Sequence, residues 1–500
     1  MRPSIIQKEE KKKKERKLNV KRRILSIVLA LSMLLAIFTL AACNKDNAGE
    51  ISDFNFDTTK EVKIVFYHTM GEALRAVLDK HIVEFNKLYP NIKIEHSQVG
   101  GYDDVREQIK TEITVGDQPN LAYCYPDHVA LYNVAMAVQP LDGLIGATAT
   151  VTRQDGTTEQ VGLTEAQVNN FIDGFYNEGK QFGDGKMYTL PFSKSTEVFY
   201  YNKTVFDQNG LKVPTHWWCG DACPAGCDTS LEYVCARLKA IDPNCIPLGY
   251  DSESNWFITM CEQLGTPYTS ATGEHFLFDN ESNHAFVKKF REWYLAGYVT
   301  TQELSGGYTS ALFTKTDAGR CYMCIGSSAG ANHQIPKDKD TGELLFEVGI
   351  SPIPQANAAA PKVISQGPSV CIFKKKDNQE VLASWLFLKY LTTTVEFQAE
   401  FGLTSGYLPV LETVGTNEAY AAMLAQADGG FNLPQLATKV CLQQEKAYYT
   451  SPAFNGSSTA RDEVGKLMQV CLAIKANANV DQEIKNAFKA AVDECKYQAG

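Results

Sequence analysis

The stretch EVKIVFYHTMGEALRAVLDKHIVEFNKLYPNIKIE, residues 61–95, decides the fold. Its opening, Glu61-Val-Lys-Ile-Val-Phe-Tyr67, alternates and is rich in β-formers, which predicts a strand. After Met70-Gly71 the apolar residues fall at Leu74, Val77, Leu78, Ile82, Phe85 and Leu88, the spacing of one helix face, and Tyr89-Pro90 ends the run. Asn91-Ile-Lys-Ile-Glu95 alternates again as a second strand. Working outward, Val105, Ile109 and Ile113 mark a second helix closed at Val115-Gly116, and Asn120 to Tyr125 reads as a third strand. Strand, helix, strand, helix, strand with short links means a parallel sheet with right-handed crossovers. Ligands of such sheets sit beyond the carboxyl ends of the strands, here the loops His68-Thr69-Met70, Gly100-Gly101-Tyr102 and Tyr125-Pro126-Asp127.

Upstream, the sequence reads as an address. Lys21-Arg22-Arg23 precedes an uncharged apolar run, Ile24 to Leu40, and then Leu40-Ala41-Ala42-Cys43. A basic region, an apolar region and small residues before a cut describe a signal peptide over 1–42. Leu-Ala-Ala-Cys further resembles a bacterial lipobox, in which the Cys43 thiol carries diacylglycerol. A two-chain anchor holds a protein at the extracytoplasmic face of a membrane, where a single acyl chain binds only marginally. A spanning helix is the competing reading of the apolar run. The charged stretch Lys8 to Lys17 is foreign to a signal and suggests a start codon placed too early, and residues 43–60 read as a polar tether.

Five hundred residues exceed what one hydrophobic core usually serves, so two lobes are expected. The net charge of −10 combines +8 in residues 1–42 with −18 in the remainder, and a body that acidic repels phosphate backbones, which argues against nucleic acid as a partner. Beyond residue 125, a second α/β segment follows the turn Gly183-Asp184-Gly185 through Lys186 to Tyr201. A helix is predicted near Asn283–Leu295, a strand near Cys321–Ile325, one helix from Asn378 to Phe401, and helix from Asp462 to Lys496. No Walker-type phosphate loop is present, and no carboxylate pair is nominated by spacing for glycoside hydrolysis.

Several short pieces together resemble the extracellular solute-binding proteins of carbohydrate ABC importers, the group containing maltose- and glycerol-3-phosphate-binding proteins. They are Phe66-Tyr-His-Thr-Met-Gly71, Phe85 to Ile94, Gly100-Gly-Tyr-Asp-Asp104, Gly116-Asp-Gln-Pro119, Leu190 to Lys203, Gly326-Ser-Ser328 and Ser405-Gly-Tyr-Leu-Pro409. The resemblance implies an α/β, two-lobed periplasmic-binding-protein-like fold with three interlobe crossings, near Phe192–Lys194, Gln366–Ser369 and Ser405–Tyr407. Lobe I would comprise 61–192 plus 368–405, and lobe II 195–366 plus 407–497. It implies a binder, not an enzyme, without cofactor, that delivers a sugar or oligosaccharide to a permease and ATPase on separate chains. A binder of glycerol-3-phosphate or a related polyol phosphate is the alternative. A sensory lipoprotein, a secreted glycoside hydrolase and a metal carrier are the rivals from other classes.

The resemblance places a ligand-contacting tyrosine at Tyr102 and a second at Tyr407. Ser193, Ser195 and Thr196 lie at the first crossing, where hydroxyls serve either a sugar or a turn. Ser327 and Ser328 resemble the second-lobe ligand loop, and Gly326 and Gly367 permit close backbone approach. Trp256 either stacks on a sugar ring or fills the core, Trp217-Trp218 ranks below it, and Asp127 is a candidate to bridge two ligand hydroxyls. Phosphate binders of this type use an arginine in the loop that here reads Ser451 to Arg461; Phe454 or Asn455 occupies the expected place, and Arg461 is expected in a capping or surface role. A neutral saccharide is therefore expected over a phosphate ester.

Fourteen cysteines are many for this family, and removing Cys43 leaves thirteen. Cys219, Cys223 and Cys227 recur every four residues, with His216 just before and Cys235 and Cys245 after. Disulfides, a metal or iron–sulfur site, and reduced thiols compete; export favours disulfides, so no metal is expected, and His216, Cys219, Cys223 and Cys227 are the set to test for one. Cys321 and Cys324 read as structural thiols.

Overall fold

The computed structural model describes residues 51–220, 223–426 and 432–499. The expected signal peptide and the lipidation site Cys43 lie outside the described residues. Along the chain run β1 (Val62–His68), β2 (Ile92–Gln98), β3 (Leu121–Cys124), the hairpin β4 (Thr150–Thr152) with β5 (Thr158–Gln160), and β6 (Thr189–Pro191). They are followed by β7 (Ser195–Asn202), β8 (Leu248–Tyr250), β9 (Val299–Thr301), β10 (Met323–Ser327), β11 (Val348–Ser351), β12 (Val363–Gln366), β13 (Ser369–Ile372) and β14 (Tyr448–Tyr449).

Two sheets result. The first has the order β2-β1-β3-β13-β6, with β2, β1 and β3 parallel as expected and β13 antiparallel to both its neighbours. The second has the order β14-β12-β7-β10-β8-β9, with β11 also pairing β7. Both crossover helices of the first sheet form where the apolar spacing placed them. Glu72–Leu88 buries Val77, Leu78, His81 and Phe85, with Glu72 in its first turn and Lys87 in its last, a charge arrangement that favours the helix dipole. Tyr102–Ile113 starts where Asp104 Oδ2 accepts the Gly101 N–H at 2.7 Å.

The chain passes from the first sheet to the second between β6 and β7 and returns between β12 and β13. These passages lie side by side with a third at Ser405–Leu408. Lys194 N donates to Leu408 O at 2.9 Å, and the Phe192 and Ser193 N–H groups reach Pro368 O at 3.1 and 3.3 Å. The approach is tight. A Cβ on Gly367 (φ +91°) would stand 2.5 Å from Ser193 O, and one on Gly406 would stand 1.9 Å from Ser328 O. At the centre Lys194 and Glu178, both buried, pair at 2.6 Å, and Lys194 Nζ also donates to Ser369 Oγ at 3.2 Å.

Three expectations give way. Residues 51–60 are not tether: Ile51 and Phe56 are buried, Gln379 exchanges hydrogen bonds with Asn55 O and Asp57 N, and Lys60 pairs with Asp377. The helix expected over 378–401 is two, Asn378–Thr393 and Val395–Thr404, split at an extended Thr394. Thr392, Thr393, Thr394 and Val395 are all β-branched, which lowers helix propensity at the break. The C-terminal helix is likewise two, Ser457–Leu472 and Val480–Gln498. Among the described residues no helix is long and apolar enough to cross a membrane.

Candidate functional site

Between the two sheets lies a cavity of about 50 Å³ lined from both sides. From the first side come Tyr125, Pro126 and Asp127, which follow β3 and open the helix Pro126–Asn133, together with Glu178 and Gln181 around a 3₁₀ turn. The second side gives Tyr268 and Thr269, Ile364 to Gln366 of β12, Thr450 to Pro452 after β14, and Arg461. Gln181 already bridges the two sides by donating to Thr450 Oγ1. Beside the cavity Arg106 reaches across to Ser458 Oγ at 2.9 Å and to Asp462 at 3.0 Å, holding the sides together.

The polar character of this cavity is its main chemical feature. Asp127 Oδ2, Gln181 Oε1, Thr269 Oγ1, Ser365 Oγ and Ser451 Oγ are all buried with no hydrogen-bond partner. Buried polar atoms are ordinarily satisfied, because an unpaired one costs about 1–3 kcal/mol. Five of them around one cavity give its wall hydrogen-bonding capacity that no neighbouring protein group uses.

Arg461 corrects the sequence reading. It lies five positions into the chain after Gly456, on the helix Ser457–Leu472, and the helical turn carries it into the cavity rather than to the surface. Its Nη2 donates to Asn255 Oδ1 at 2.7 Å. Burial works against its charge, but Asp127 and the surrounding tyrosines outweigh burial and hold the guanidinium above its ordinary pKa. Behind it, Glu197 of β7 accepts from Tyr250 OH at 2.6 Å and Asn255 Nδ2 at 3.1 Å. Burial pushes this carboxyl up to about 7 against the lowering effect of those hydrogen bonds and of Arg461.

The other expected residues divide into groups. Asp127 lines the cavity. Tyr102 and Tyr407 meet each other, hydroxyl to hydroxyl at 3.3 Å, and the Tyr102 ring lies 4.7 Å from that of Tyr125, so the pair backs the cavity wall. Burial raises the Tyr102 hydroxyl well above its usual pKa, which keeps it protonated. Ser193, Ser195, Thr196 and Gly367 build the crossings: Thr196 Oγ1 donates to Ile364 O at 2.7 Å, Ser195 pairs with Gln366, and Ser193 Oγ is buried without a partner. Ser327 caps the following turn through Ala329 N, and Ser328 is fully buried against the third crossing at Gly406. Trp256 is a core residue. It is 0% exposed, stacked 5.1 Å from Tyr250 and 4.0 Å from Phe290, and absent from the cavity lining, so the stacking role falls.

Sequence reasoning missed Glu178, Gln181, Thr269, Ser365 and Thr450. Each is a single polar residue in a turn or strand end, and only the register of Ser365 in β12 beside the second crossing offered a signal. The expected disulfides are absent as well: all thirteen described cysteines are free, ten of them buried.

A family profile described as bacterial extracellular solute-binding protein matches residues 80–427. The sn-glycerol-3-phosphate-binding periplasmic protein UgpB of Escherichia coli K12 is 24% identical over 362 residues, covering 69% of this chain and 74% of that protein. Among solved structures, UgpB from Mycobacterium tuberculosis in complex with glycerophosphocholine superposes with a TM-score of 0.67 at 17% identity, covering 87% of this chain and 99% of that one. An ABC substrate-binding protein of Listeria monocytogenes in complex with cycloalternan gives 0.64 at 17% identity, with coverages of 87% and 99%. The cyclic alpha-maltosyl-1,6-maltose binding protein of Arthrobacter globiformis gives 0.62 at 17%, with 87% and 98%. At these identities the structures establish the shared two-lobed fold.

Proposed function

The chain belongs to the bacterial extracellular solute-binding proteins and captures substrate for import, and from that premise we propose that its ligand is a compact, neutral, polyhydroxylated solute of the sugar class. The observation that carries this reading is the ring of five buried, partnerless oxygen atoms around the interlobe cavity. A sugar hydroxyl both donates and accepts, so one such molecule satisfies Asp127 and the hydroxyls of Thr269, Ser365 and Ser451 together. Charge supports neutrality: Arg461 is balanced by Asp127, and Glu178 by Lys194. A ligand that touches both lobes binds the closed arrangement better than the open one and shifts the population toward closure.

The remaining assignment follows from the sequence. The protein works as a lipoprotein held through Cys43 at the extracytoplasmic face, with lobes bounded as the crossings suggest, handing ligand to a permease and ATPase on other chains without chemical change. One observation favours a second reading, a phosphate-bearing polyol: Arg461 supplies in the cavity the guanidinium that such ligands pair with. A thermal-shift and calorimetric panel of monosaccharides, oligosaccharides, polyols, glycerol 3-phosphate and glycerophosphodiesters separates them. Ligand at 100 times its dissociation constant stabilises by about 2.7 kcal/mol. A response to sugars supports the proposal, a response confined to phosphate esters replaces it with the second reading, and silence across the panel overturns both.

A further inference from the structure

Among the described residues, a concentration of potential metal ligands lies apart from the residues that line the cavity. Between the helices Lys203–Asn209 and Leu231–Ile241 a loop leaves at Thr215 and returns at Thr229-Ser230. Its base is closed by backbone pairing: Thr215 N donates to Thr229 O at 2.9 Å, Leu231 N donates to His216 O at 2.8 Å, and His216 pairs with Ser230. Gln355 N also donates to Thr215 O at 2.9 Å, and two tryptophans anchor the loop to the lobe. Trp217 is buried and its Nε1 donates to Gln263 Oε1 at 2.7 Å, while Trp218 packs edge-on against Phe290 and Trp293.

On this loop His216, Cys219, Cys223 and Cys227 converge, with one ligand atom from each lying within 4.8 Å of all the others. His216 Nε2 stands 3.7, 3.5 and 3.5 Å from the three sulfurs in that order. A tetrahedral zinc ion, about 2.3 Å from thiolate and about 2.05 Å from imidazole, sets that nitrogen-to-sulfur edge at about 3.6 Å. The ring is held for the purpose: Thr215 Oγ1 lies 3.2 Å from His216 Nδ1, which leaves Nε2 to face the sulfurs. Gly226, at φ +78°, makes the turn that returns Cys227 to the group.

Other uses of the same atoms fit less well. A disulfide joins two sulfurs and leaves the third thiol and the imidazole without a role. An iron–sulfur cluster spreads its cysteines over several irons, whereas these three sulfurs all lie within 3.7 Å of one imidazole nitrogen. Three soft thiolates and one imidazole around one point match structural zinc, with no position left open for catalysis.

We propose that His216, Cys219, Cys223 and Cys227 bind one zinc(II) ion that clips the 215–230 loop onto the second lobe. Loading releases the three thiol protons, and the site carries one net negative charge. It protects three accessible thiols from oxidation in a protein of an extracellular family.

The test uses the full chain purified under reducing, zinc-replete conditions. Elemental analysis is expected to give one zinc per chain, and exchange for cobalt(II) to give a sulfur-to-cobalt charge-transfer band with the strong visible bands of a tetrahedral ion. Cys223→Ser and Cys227→Ser each lower zinc affinity, read by competition with a chelator, by about tenfold or more and lose metal on dialysis, while Cys471→Ala, a buried thiol elsewhere, keeps one zinc per chain. A cooperative melt of each variant confirms folding. Zinc-free protein with the three thiols open to alkylation, or with two of them joined in a disulfide, overturns the proposal. So does metal content indifferent to the Cys223 and Cys227 substitutions. None of these outcomes depends on which ligand fills the cleft.

Discussion

Replacing Glu197 with glutamine removes the charge that the second lobe buries behind the cavity, while keeping the shape of its protonated form. The carboxyl is 1% exposed, and burial lifts it from an ordinary 4.5 to about 7. Each pH unit of such a gap is worth 1.36 kcal/mol, so the full gap corresponds to about 3 kcal/mol. The direction is fixed by which state holds the proton more tightly. Here the folded protein does, so the stabilising contribution is complete below about pH 4.5 and disappears as pH rises through about 7. Glutamine cannot ionise. It still accepts from Asn255, and Tyr250 rotates its hydroxyl to accept from the amide. Urea titrations of the unliganded protein and of Glu197→Gln at pH 4.5 and pH 8 are the assay, read as the difference between the two proteins so that every other titrating group cancels. The variant is expected to gain about 3 kcal/mol on the parent between those pH values. A difference that is the same at both refutes the reasoning, because it means Glu197 titrates alike in the folded and unfolded chain.

Arg461→Ala is expected to weaken ligand binding about 10- to 100-fold, the equivalent of one or two charge-assisted hydrogen bonds, by calorimetry; unchanged affinity removes the guanidinium from the site. Trp256→Ala should cost about 3–5 kcal/mol in urea unfolding, as for a core aromatic, and lost affinity at full stability would return the indole to the ligand. Gly406→Ala should destabilise by about 1–3 kcal/mol, since its Cβ meets the Ser328 carbonyl, and an unchanged melting temperature would show that the third crossing yields.

The first sheet was legible because its signals are periodic. Residues 61–125 alternate between periods of two and 3.6; β1 and the helix Glu72–Leu88 bury the faces that their spacing marks, while β3 is buried throughout. The second sheet was harder to read. Its strands β8, β9 and β14 are two or three residues long, too short for any period, and are made by pairing with distant segments. The site divides the same way. Asp127 was visible because it follows a strand of the parallel sheet. Trp256 stayed open between a sugar stack and the core because nothing in Ser254-Asn-Trp-Phe says which way the helix Glu253–Leu264 turns its indole. Arg461 was passed over because it was sought in a loop, whereas the helix that begins at Ser457 had already started to rotate it inward. The cysteines near 219–227 showed their spacing, but their convergence on His216 depends on the backbone closing at Thr215 and Thr229.

The pairing of Lys194 with Glu178 joins the crossings to the cavity wall. Lys194 sits where the strands linking the lobes run abreast, and Glu178 is also part of the cavity wall. A solute that reached Glu178 would therefore press on the same ion pair that sits among the crossings. Were a ligand to engage that carboxylate, a change that loosens its grip on the lysine should alter how far the jaws travel as well as how firmly they hold.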